Sequence, residues 1–248
     1  MQFLCKRLFI SVLLFLVITN QPAVADTGTT SIQDVVWGGM LYDKWWKVLK
    51  LESPDQKHPA YPSEGSAKAS DSWRCKECHG WDYQGKAGAY SRGSHFTGII
   101  GINSSANADI TKIQTILADK THQYDTVLPE SALQQLSTFV SQGQIDMSQW
   151  IDATTQKAKG DAKSGGQLFH TLCVKCHDKD KSTYPDQSED AGGNSLEELA
   201  ALSRENPWET LHKIRVSQPA AAMPALLSLD VQQQVDIVRF LQEAAQEE

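Results

Sequence analysis

The chain is 248 residues long and acidic, with 23 Lys and Arg against 30 Asp and Glu and a net charge of −7. Such a length suits two small domains better than one. No basic cluster stands outside the first few residues, which excludes a nucleic-acid partner; the acidity fits plain solubility, or protein partners with a basic docking face.

Residues 1–25 have the three parts of a secretory signal peptide: Lys6 and Arg7, the apolar run Leu8 to Ile18, and the small-residue cleavage site Ala23-Val24-Ala25. That run is too short for a membrane helix, which needs roughly 20 apolar residues. Cys5 precedes the run, so it does not read as a lipid-attachment cysteine. The expectation is export to the periplasm, with no membrane span after cleavage. Cleavage leaves 21 basic against 30 acidic residues and four cysteines, all inside two Cys-x-x-Cys-His pentapeptides.

In chain order, Gly38-Gly39-Met40-Leu41-Tyr42 opens a helical pattern, and a stretch rich in Ser, Pro, Lys and Asp follows over residues 50–73. Its composition reads as a surface loop. Cys75-Lys76-Glu77-Cys78-His79 comes next. Trp45, Trp46, Trp73, Trp81 and Tyr83 concentrate around it, either to pack against a flat ligand or to form a docking surface. The apolar positions Leu128, Leu133, Leu136, Phe139 and Val140 then mark a closing amphipathic helix. Residues 146–159 are polar, without apolar periodicity, and read as a linker.

The second half repeats the first. Gly165-Gly166-Gln167-Leu168-Phe169 leads into Cys173-Val174-Lys175-Cys176-His177. At an offset of 101 the closing helix recurs as Leu229, Gln234, Ile237, Phe240 and Leu241. Between them, Ser195-x-x-Glu198 has the form of a capping box, and Asn206-Pro207 pairs a cap with a first-turn proline.

Two cysteines three apart on a helix share a face, so both sulfurs can hold one edge of a flat ligand while the adjoining His binds its metal. The pentapeptide is that of c-type haem attachment, with His as the proximal iron ligand. Zinc is the weaker reading, because ribbon sites place their cysteine pairs about 15 to 20 residues apart and these pairs are 98 apart. A redox dithiol would not need a His after each pair.

Each unit resembles a small monohaem cytochrome c domain, and the pair resembles the two-domain dihaem cytochromes. The resemblance implies an all-α fold of two tandem cytochrome c-type helical domains, residues 26–145 and 160–248, the first with the long loop insertion at 50–73. It implies two haem c groups, with Cys75, Cys78, Cys173 and Cys176 as attachment points and His79 and His177 on the irons. In that family the sixth ligand is commonly a Met in a Met-Pro before the closing helix; Met223-Pro224 matches. The offset of 101 carries Met223 onto His122, so a bis-histidine first haem is expected, with His95, His58 and Met147 as other candidates.

A haem ligated by two side chains has no open position, so the expected function is one-electron transfer between redox proteins. Axial donors move the potential over about 0.8 V, and imidazole in place of thioether lowers it, so electrons would run from the first haem to the second. The alternative is a dihaem oxidoreductase, or the cytochrome subunit of a larger one, with the first haem reactive. Dihaem peroxidases need an open site, and the resembling thiosulfate dehydrogenases use a Cys ligand, for which the expected mature chain has no spare.

Overall fold

The computed structural model describes residues 31–177 and 195–244. Residues 1–30, which include the expected signal peptide, residues 178–194 and residues 245–248 fall outside the described residues. Every regular element within them is a helix, so the expected all-α class is the observed one. The helices are α1 (Ile32–Leu49), α2 (Cys75–His79), α3 (Ile110–Leu117), α4 (Glu130–Thr138), α5 (Ala162–Leu172), α6 (Leu196–Glu205), α7 (Pro207–Val216) and α8 (Val231–Glu243).

α1 begins where the Ser31 side chain accepts the Gln33 N–H at 3.1 Å, and ends at Lys50 in the left-handed region. It turns Val35, Leu41, Tyr42, Trp45 and Trp46 into the core. A kink at Lys44 (φ −152°, ψ 76°) frees the carbonyl of Asp43, which accepts from Arg74 Nε at 2.9 Å. Because Trp45, Trp46, Trp81 and Tyr83 are all buried, the aromatic concentration is core and not a docking face.

α1 crosses α4 at Gly38, where a Cβ would fall 2.1 Å from the Gln135 carbonyl oxygen. α5 crosses α8 in the same way at Gly165, where a Cβ would fall 1.8 Å from the Asp236 carbonyl oxygen. The sequence repeat is thus a repeat of one helix crossing, closed by backbone-to-backbone approach. Both predicted caps in the second unit are present. Ser195 and Glu198 form the capping box, and Asn206 accepts the Glu209 N–H at 3.2 Å ahead of Pro207.

The second glycine of each pair diverges. A Cβ on Gly166 would lie against Phe240 of its own closing helix, whereas one on Gly39 would lie 2.7 Å from Val216, at the end of α7. The two units therefore pack on each other through α7. His212, fully buried, is its centre: its Nε2–H donates to the Gly39 carbonyl at 3.0 Å. Its Nδ1 accordingly accepts from the Tyr83 hydroxyl at 2.8 Å. Arg215 reaches Gln234 at 3.0 Å and the Gly143 carbonyl at 3.1 Å, tying α8 to the helical turn Phe139–Gly143 that follows α4. Trp81 rests 5.0 Å from the His212 ring, with Arg74, Lys76 and Lys213 around its face.

Two stretches are better anchored than their composition suggested. The insertion at 50–73 buries His58, Tyr61 and Ser72, and Ser66 donates to the Ser94 carbonyl at 2.8 Å. Residues 146–159, expected as a polar linker, are packed: Asp146 caps a short turn, Met147 and Ile151 are buried, and Ile151 bridges to Ala158. Two apolar residues one helical turn apart are too few to show as periodicity.

Gly165→Ala puts a methyl group into the Asp236 backbone, which has no side chain to move aside. It should cost about 1–3 kcal/mol or more, read as a lower urea midpoint. Burial holds the His212 imidazole neutral and pushes its pKa down to about 4. The unfolded chain, with an ordinary His near 6.5, binds the extra proton first. Stability therefore falls as pH drops from about 6.5 to about 4, by about 3 kcal/mol from this residue, and levels off below. His212→Gln, which can keep both hydrogen bonds, should flatten that part of the pH–stability curve; an unchanged slope would refute the assignment.

Candidate functional site

The first pentapeptide forms the whole of α2 and is held at both ends. Ahead of it, Arg74 pairs with the buried Asp43 carboxylate. Burial alone would raise that carboxyl, but the guanidinium charge overrides it and holds the pKa down at about 2. Behind it, the Tyr42 hydroxyl donates to the Gly80 carbonyl at 2.6 Å, and Gly80 turns the chain with φ of 79°. Cys75 and Cys78 fall on one face of this turn. Burial pushes both thiols up to about 12 and Cys173 to about 11.

His79 donates from Nδ1 to the Ile100 carbonyl at 2.7 Å. A carbonyl only accepts, so the proton sits on Nδ1 and the Nε2 lone pair is left for a metal. Burial also pushes this imidazole down to about 4. Across from it stands His122: the ring centroids are 6.4 Å apart and the planes differ by 21°. Two metal–imidazole bonds of about 2 Å and two ring half-widths of about 1 Å fill such a gap. The residues present thus suit a haem iron at this position. His122 likewise has its Nδ1 occupied, by Asp119 at 3.1 Å.

The other three candidates lie elsewhere. His95, whose side chain is 50% exposed, donates to Glu77 at 3.0 Å and stacks on Tyr90. His58 donates from Nε2 to the His122 carbonyl at 2.9 Å. Met147 is a fully buried core residue.

The second pentapeptide follows α5 directly as a turn. Cys173 N–H bonds the Phe169 carbonyl at 2.8 Å, and His177 N–H bonds the Cys173 carbonyl at 3.0 Å, so the helical spacing of both cysteines persists. Cys173, Cys176, His177 and Met223 are half-buried. Met223 lies in the loop between α7 and α8, pinned where its carbonyl accepts from the Ser217 hydroxyl at 2.6 Å. Imidazole and thioether are a chemically suitable ligand pair for a haem iron, and the two cysteine sulfurs suit its covalent attachment.

Asp119 and the α7 residues His212 and Arg215 were not singled out by sequence, and His58 was read only as another candidate ligand. The Asp119–His122 contact spans three residues, a local signal that a turn pattern could have carried; the pairing of His212 with Tyr83 spans 129 and leaves no local trace.

Residues 162–245 match the family described as Cytochrome c. This stretch is a cytochrome c domain, the kind that carries a covalently bound haem c, and the pentapeptide at Cys173 lies within it. Neither a curated protein nor a solved structure matches the chain. Among the described residues, no helix is long and apolar enough to cross a membrane.

Proposed function

We propose that this protein, whose residues 162–245 form a cytochrome c domain, is an exported electron carrier with two haem c groups. The observation that carries the reading is the His79–His122 pair, 6.4 Å between centroids and nearly parallel, in a unit that repeats the helix crossing of the matched domain. Cys75 and Cys78 would hold the first haem, with His79 and His122 binding its iron. Cys173 and Cys176 would hold the second, with His177 and Met223. A haem so ligated supplies one-electron exchange at its edge.

The residues divide the work. Ile100 and Asp119 fix the tautomers of the two imidazoles, and Arg74 and Tyr42 clamp the turn that bears the cysteines. An imidazole pair at the first site against imidazole and thioether at the second sets the first at lower potential, which gives transfer a direction. Two side chains on each iron would leave no place for a substrate, which favours carriage over dihaem catalysis. Residues 1–25, read as a secretory signal, place the mature protein in the periplasm in this proposal, with redox proteins as partners.

Mass spectrometry of the exported protein should find two haem additions and a chain starting near Asp26; a single addition would remove the second haem from the reading. Low-temperature magnetic spectroscopy of the ferric protein should show two low-spin centres. His122→Ala should turn one of them high-spin, while His95→Ala leaves both unchanged. A high-spin centre in the unaltered protein would overturn the carrier assignment.

A further inference from the structure

His122 sits in a turn that is fastened twice. One Asp119 oxygen accepts the N–H groups of Thr121 and His122, each at 2.8 Å, and the His122 ring Nδ1 at 3.1 Å. From the other side, the buried His58 donates to the His122 carbonyl at 2.9 Å. His58 is itself immobilised: its N–H bonds Ser72 at 2.9 Å, its Nδ1 accepts from Ala60 at 3.1 Å, and its ring meets Trp73 edge-on at 4.4 Å. The next residue, Gln123, takes left-handed φ and ψ of 55° and 24°, a conformation that costs energy for a side chain with a Cβ. The two anchors on either side keep it there. The ring's acceptor differs from that of His79, which is a neutral carbonyl at 2.7 Å.

We propose that Asp119 and His58 are positioning residues for His122: the carboxylate orients the ring and gives it anionic character, and the insertion's His58 holds its backbone. This rests on His122 being the sixth ligand of the first haem. A carboxylate on the far nitrogen makes a ligating imidazole more basic; a more basic ligand favours the ferric state and lowers the potential. The Asp119 side chain is 42% exposed, so solvent screens its charge and the effect is moderate. The insertion at 50–73 thereby has a purpose beyond surface decoration: it reaches from before the cysteine motif to the ligand beyond it.

Redox titration of the haem-loaded protein tests this. Asp119→Asn keeps an oxygen acceptor and loses the charge, so the low-spin spectrum should stay while the first haem becomes easier to reduce. At fixed ambient potential its reduced-to-oxidised ratio should rise about threefold, which is about 30 mV at 59 mV per decade. The second haem, unmoved, is the internal control. His58→Ala should let carbon monoxide bind the reduced first haem, and His58→Gln, whose amide can still donate to the carbonyl, should restore exclusion. An unchanged ratio in Asp119→Asn overturns the charge role. Carbon monoxide binding equally in His58→Ala and His58→Gln overturns the backbone role; should His58→Ala not fold, binding in His58→Gln does so alone. A first haem that stays low-spin in His122→Ala shows instead that the underlying ligand assignment has failed.

Discussion

Two helices can approach until their backbones touch only where one of them presents no side chain, and this chain meets that condition once in each unit. Gly38 lets α1 reach the Gln135 carbonyl, and Gly165 lets α5 reach that of Asp236. Much else hangs on these contacts. The pentapeptides are tied to these opening helices: α2 through Arg74 to the kink of α1, the second motif as the turn directly after α5. A side chain at either glycine would move the cysteines and their histidine together.

The duplicated architecture is not used symmetrically. In the second unit both glycines face α8, while in the first Gly39 is turned toward Val216 of α7. That exchange makes room for His212 to bond Gly39 and Tyr83 together. The same helix leads through Ser217 into the loop that carries Met223. The segment that joins the units thus also delivers a candidate ligand of the second site, so a disturbance at the interface reaches that loop through one short helix.

The sequence revealed those features whose cause is local. The paired cysteines, the capping box at Ser195, the Asn206-Pro207 start and the Gly-Gly repeat all express themselves within a few residues. His122 was found only because the repeat supplied a register in which Met223 had a counterpart. What stayed hidden depends on distance. His58 and Met147 were read as rival ligands and not as packing residues, His212 and Arg215 looked like ordinary members of an amphipathic helix, and Ile151 like a scattered apolar residue in a linker. Each gained its meaning from a partner far along the chain, and Gln234, the one polar residue breaking the closing-helix pattern, is fully buried because it receives Arg215.

Partial burial of the first cysteine pair bears on when its thiols react most readily. Burial disfavours their ionisation, and protonated thiols are poor nucleophiles; Cys75 also lies against Tyr124, whose hydroxyl donates to the Trp73 carbonyl at 2.8 Å. Covalent chemistry at this motif is therefore easier while α1 is undocked and the motif open. The packing that α1 brings then covers whatever bonds the cysteines have made.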